Sequence, residues 1–194
     1  MITPIRRALF AIGLFVPSLH VPVTLAATSK LWVEGGSTVR SWSCQAPALT
    51  ADLASSATDP LKGVLNLERT ISAVRLTVNV EKMECGNGTM NEHMEKALKE
   101  KEHKTIAFKL NTYELQKDSL GIRGQLNGLL TIAGIEKQIL MPVSITPAPD
   151  GAVRVKGAYE LDMREYGVTP PSLMLGTMKV KPMVTVKFDL VLTP

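Results

Sequence analysis

The sequence predicts a mainly β protein: a single antiparallel β-barrel with one short amphipathic helix. Three observations predict it. Over most of the chain beyond residue 73, apolar and polar residues alternate with a period of two. Turn-forming residues separate the runs: Ala133-Gly134, then Pro147, Pro149, Asp150 and Gly151. Only one segment, around Met90, Met94 and Leu98, has helical spacing. A sheet this regularly two-faced must cover one face. About eight strands do so by closing into a barrel, whose interior can hold one small ligand.

The N-terminal segment is set apart from this pattern. Arg6 and Arg7 precede an apolar run over residues 8–16, and a small-residue end follows at Thr24-Leu25-Ala26-Ala27. This is the form of a secretory signal peptide, assigned to residues 1–27, with one domain over residues 28–194. An anchor that is never cleaved is the alternative, but Pro17, His20 and Pro22 interrupt the run, which is short for a bilayer.

The first regular strand spans residues 73–83, with Val74, Leu76, Val78 and Val80 on one face. A turn at Cys85-Gly-Asn-Gly88 leads to the helix, for which Thr89 or Asn91 is the expected cap. Met90, Met94 and Leu98 form its apolar face, and residues 99–104 its charged, solvated end. In residues 105–115, Ile106, Phe108, Leu110 and Thr112 alternate with Ala107, Lys109, Asn111 and Tyr113. Ile122, Leu126, Leu130 and Ile132 share the next face, with Gly124 and Gly128 among them. Ile139, Met141, Val143 and Ile145 follow, then Val153, Val155, Tyr159, Leu161 and Met163, and finally Val184, Val186, Phe188, Leu190 and Leu192. Glycines within strands weaken them and mark bends that coil the sheet, or places where a ligand nears the backbone. Trp32 and Trp42 are expected to plug the barrel or close its end.

Composition narrows the function. The whole chain has 22 basic and 18 acidic residues; without Arg6 and Arg7 the remainder has 20 and 18, which argues against nucleic acid as a partner. Cys44 and Cys85 are an even pair in an exported chain, so one disulfide is expected. No nucleophile elbow or phosphate loop occurs. Asp162, Arg164 and Glu165 read as a local ion pair, so no catalytic residue and no metal ligand is assigned. One metal reading is weighed: Met90, His93 and Met94, or Met174, Met178 and Met183, could hold Cu(I) through soft thioethers. The competing reading makes these methionines flexible apolar filler. The apolar interior either forms a solid core or lines a tunnel for a lipid chain, each buried methylene of which is worth about 0.8 kcal/mol.

Resemblance sharpens this. Ser37-Thr-Val-Arg opens a long strand, and Asn91-Glu-His-Met94 precedes Thr105-Ile-Ala-Phe108. Then come Gly124-Gln-Leu-Asn-Gly-Leu-Leu-Thr-Ile-Ala-Gly-Ile135, Lys137, Leu140-Met-Pro-Val143, Arg164-Glu-Tyr-Gly-Val168 and Val184-Thr-Val-Lys-Phe188. Their succession resembles the YceI-like family of periplasmic polyisoprenoid-binding proteins. The resemblance implies an extended, lipocalin-like antiparallel barrel around a hydrophobic tunnel. It also implies non-enzymatic binding, transport or sequestration of a long-chain isoprenoid, such as a quinone or polyprenol, or a similar fatty lipid in the periplasm. No other cofactor is expected. Transient membrane contact and a homodimer are further expectations. A soft-metal protein and a stress-related enzyme on the same barrel are the alternatives. From the alternation, the expected tunnel lining is Phe108, Leu126, Ile139, Met141, Tyr159, Met163, Met174, Met178 and Phe188. Residues 170–183 are expected to form a loop or lid at the tunnel mouth, with Leu173, Met174, Leu175 and Met178 resting on the ligand.

Overall fold

A computed structural model describes residues 22–55, 57–173 and 176–194, with Leu173 described in its backbone only. Eleven strands form one antiparallel sheet: β1 (Thr24–Leu25), β2 (Lys30–Ser37), β3 (Ser41–Gln45), β4 (Leu49–Ser55), β5 (Ile71–Asn79), β6 (Thr105–Asp118), β7 (Gly121–Ile132), β8 (Ile135–Pro147), β9 (Val153–Asp162), β10 (Ser172–Leu173) and β11 (Met178–Thr193). The main order is β3-β2-β11-β9-β8-β7-β6-β5-β4, and β1 and β10 both pair with β11. The sheet curls into a half-barrel. Its two edges, β3 and β4, are successive segments of the chain separated by Ala46-Pro47-Ala48. The curl is therefore held by chain continuity, with proline interrupting the strand where it changes partner.

Two helices close the ends, where the sequence shows one. Helix α1 (Pro60–Leu65) begins where Asp59 Oδ1 accepts from Lys62 N at 3.1 Å and Pro60 takes the first turn. It connects β4 to β5 and buries Leu61 and Val64. Helix α2 (Gly88–Ala97) connects β5 to β6, at the opposite end of the same strands. Its cap is Asn87, whose Oδ1 accepts from Met90 N at 3.0 Å. Neither Thr89 nor Asn91 takes that role: Asn91 Oδ1 instead accepts from Cys85 N at 2.8 Å and ties the helix to the preceding turn. The Cys44–Cys85 disulfide links β3 to that turn, beside a backbone bridge between Gln45 and Glu84.

Most strand faces follow the alternation, because a one-residue slip would turn a whole apolar face to water. The exception is β6. Its register with β7 shifts between Leu110 and Thr112, leaving Asn111 without a partner there. A bulge of one residue reverses the faces beyond it. Tyr113 is therefore buried and Thr112 exposed, the reverse of simple alternation. Ser37 to Arg40 also differ from expectation. They form the turn between β2 and β3, closed by Ser37 N donating to the Arg40 carbonyl at 2.8 Å, rather than the start of a strand. Within the expected loop over residues 170–183, β10 pairs with the start of β11 instead, Ser172 opposite Lys179 and Leu173 opposite Met178.

The segment assigned as signal peptide lies mostly outside the described residues. Its end does not: Thr24 and Leu25 pair with Thr193 and Leu192, and Val23 is buried.

Candidate functional site: an apolar cavity

The curled sheet and its two helices enclose a cavity of about 330 Å³. Its wall is built from the inward faces of β2, β3, β5 to β9 and β11, together with one side of α2. Leu76, Leu126 and Val186 point inward yet are only half-buried. They face the cavity instead of opposing side chains. Protein interiors normally hold few voids larger than a water molecule, so the interior is hollow by construction and not a filled core.

The two ends differ. The α1 end is the more closely packed: Val23, Leu61, Val64, Tyr113 and Val153 are all buried. The Tyr113 hydroxyl accepts from Ile71 N at 3.1 Å, which pins the bulged part of β6 to the chain leaving α1. At the α2 end the wall includes Ser37, Arg40, Met90, His93, Pro171 and Met178. None of these is buried, and Arg40 is exposed to solvent while also lining the cavity. This end is the mouth.

The wall has a simple electrostatic character. Among the described residues it contains no aspartate, glutamate or lysine, and Arg40 is its one cation and His93 its one imidazole. The charged networks sit outside the barrel. Lys187 Nζ lies 2.7 Å from Glu34 Oε2, and Trp32 Nε1 donates to Glu34 Oε1 at 2.7 Å. These bonds, Lys187 first, hold the Glu34 carboxyl below its ordinary range. Trp32 is therefore on the outer face, because Leu31 and Val33 take the inward positions of β2. Only Trp42 of the two tryptophans lines the interior. The Asp162–Arg164 pair is local, as expected, and Glu165 pairs with Lys137 at 2.9 Å.

The structure places Phe108, Leu126 and Met141 on the cavity wall, and likewise Tyr159, Met163, Met178 and Phe188. Ile139 is a correction: it is buried but does not line the cavity. It pairs with Gly128, over which the Phe108 ring lies, so the ring rather than Ile139 faces the lumen there. Met174 lies outside the described residues. Met183 is exposed, so the methionines of residues 170–183 do not share one site.

Sequence reasoning missed Arg40, His93 and Tyr113 as wall residues. The bulge hid Tyr113, and Arg40 was read as strand. His93 was judged only as a metal ligand, although it lies three residues from Met90, which is within reach of the same helix face. Among the described residues no three histidine, cysteine or acidic side chains are placed to hold a metal ion. No helix among them is long and apolar enough to cross a membrane.

A family profile described as the YceI-like domain matches residues 36–192. No curated protein sequence matches the chain. Among solved structures, BcnA of Burkholderia cenocepacia is similar, with a TM-score of 0.66 at 16% identity over 85% of this chain and 96% of that one. A polyisoprenoid binding domain from Saccharophagus degradans, implicated in plant cell wall breakdown, gives 0.64 at 11% identity over 90% and 99%. The Campylobacter jejuni YCEI protein gives 0.56 at 14% identity over 76% and 82%. At these identities the likeness is one of fold.

Proposed function

Because this chain belongs to the family of YceI-like domains, we propose that it binds the tail of a long-chain isoprenoid or similar amphiphilic lipid, without catalysis, and carries or sequesters it in the periplasm. The observation that carries this reading is the hollow itself: an apolar cavity, closely packed at the α1 end and exposed at the α2 end, with no acidic group among the described residues of its wall. A hydrocarbon chain needs little else, since each methylene it withdraws from water contributes about 0.8 kcal/mol. The polyisoprenoid-binding relative of the same fold supports the choice of tail. The disulfide fits an oxidising compartment, where such bonds persist.

The copper alternative is less well supported. Met90 Sδ, the first ligand in that reading, lies 3.8 Å from the Arg40 guanidinium, and a fixed cation beside the sulfur opposes a second cation there.

The test is uptake of a polyprenol. Delipidated protein incubated with solanesol, then examined by native mass spectrometry, is expected to carry one lipid per chain. Leu126→Trp puts a ring into the lumen and is expected to lower occupancy several-fold while the protein stays folded by circular dichroism. Absence of solanesol from the folded wild type, or equal occupancy in the variant, would count against the cavity as the binding site.

A further inference from the structure

We infer that the occupant of this cavity bears a negatively charged head, seated at the mouth by Arg40; the inference rests on the lipid-binding reading above. Arg40 is held in place by its backbone. Its carbonyl accepts from Ser37 N at 2.8 Å and from Ser37 Oγ at 2.9 Å, and its own N–H donates to Ser37 Oγ at 3.0 Å. The turn is therefore fixed, and the side chain reaches across the mouth to α2.

What it meets there does not satisfy it. A guanidinium offers five N–H donors in a planar fork. The one side-chain partner of Arg40 among the described residues is the Met90 thioether at 3.8 Å, a weak acceptor. Arg69, Arg123, Arg154 and Arg164 each have a carboxylate within 4 Å, whereas Arg40, like Arg75, has none among the described residues; of the two, only Arg40 lines the cavity. Two further N–H-bearing side chains stand at this end of the barrel. His93 lines the same mouth. Trp42, two residues along β3, has a buried indole N–H with no acceptor among the described residues.

The mouth thus offers more N–H donors than acceptors. Ser37 Oγ, which also lines this end, is already engaged. A cationic head would find no carboxylate among the described residues of the wall. A carboxylate or a phosphate monoester matches the fork of a guanidinium and supplies the acceptors this end lacks. The closely packed α1 end and the exposed Arg40 set the polarity of the ligand: tail inward, anion at the water boundary beside Arg40.

The experiment compares three probes with one tail: palmitate, hexadecyl phosphate and hexadecanol, titrated into the delipidated wild type, Arg40→Met and Arg40→Lys. In the wild type at least one anion is expected to bind about tenfold or more tighter than the alcohol. The tighter anion identifies the head as a fatty acid carboxylate or a lipid phosphate. In Arg40→Met that preference is expected to fall below about twofold, and Arg40→Lys, which keeps the charge but not the fork, to retain only part of it. Equal binding of all three probes, or an undiminished preference in folded Arg40→Met, overturns the anionic head while leaving lipid binding intact. If neither these probes nor solanesol binds, the lipid reading fails, and this inference with it.

Discussion

Three aromatic rings decide whether this interior is hollow or filled, and each lies on a glycine. A Cβ at Gly35 would strike the Trp42 ring, one at Gly157 the Phe188 ring, and one at Gly128 the Phe108 ring and the Lys109 carbonyl, both at 2.5 Å. The rings lie against the wall in the space the missing side chains leave, so three bulky groups line the lumen without crossing it. Gly128→Val is expected to cost about 1–3 kcal/mol through overpacking. In a protein of this size that lowers the melting temperature by roughly 3–10 °C. A thermal melt checks it, and an unchanged midpoint would contradict the close approach. The sequence marks these glycines as bends or points of ligand approach. Alternation in one strand carries no information about which ring on a neighbouring strand will lie over a glycine, so this use was not legible. A second residue gives a pH signature. Burial, with smaller contributions from Tyr159 and Glu165, pushes the Tyr166 hydroxyl up to about 12, from an ordinary value near 10. The unfolded chain then loses this proton first as pH rises. The contribution of Tyr166 to stability is complete below pH 10 and is lost between 10 and 12. Tyr166→Phe is expected to show a shallower fall in melting temperature over that window than the wild type. Parallel curves would show that Tyr166 is not linked to folding.

The elements that alternate strictly were the legible ones, because period two leaves a strand no choice of face once one side must be covered. β7, β8, β9 and most of β11 present the expected residues inward. The departures have local causes. One unpaired residue, Asn111, reverses β6 beyond it and brings in Tyr113. β11 starts at Met178 because β10 gives it a partner, so the region expected to be a loop holds a strand pair. Helix α1 is only six residues long, too short to display a period, although Asp59-Pro60 carries the start signal of a capped helix. The disulfide was legible from the even cysteine count and the expected export. Its position gives it a specific effect on α2, since Cys85 lies at the turn that leads into that helix. The double variant Cys44→Ser, Cys85→Ser removes a crosslink spanning 41 residues, worth about 4 kcal/mol on the chain-entropy argument. Its melting temperature is expected to fall by about 10 °C, with the earliest loss of amide protection in α2. Hydrogen exchange checks the order of loss. Earlier opening of the β7–β8 pair would contradict it.

At the scale of the whole molecule, the composition announced an apolar interior but could not tell a hollow from a filled core. Both readings bury the same side chains, and the difference lies in whether opposing walls meet. Curling one sheet around two end-helices keeps them apart, and the half-buried wall residues record it. The mouth was the least legible part. It is assembled from a turn, a helix and a strand pair far apart in sequence, with Arg40 contributed by a segment read as strand. The central claim is that this hollow holds a lipid tail, and the most direct test is mass spectrometry of an organic extract of the protein purified from its native host without detergent. One long-chain species close to one per protein is the expected result. An extract without lipid, from protein that is folded and disulfide-bonded, would contradict the claim.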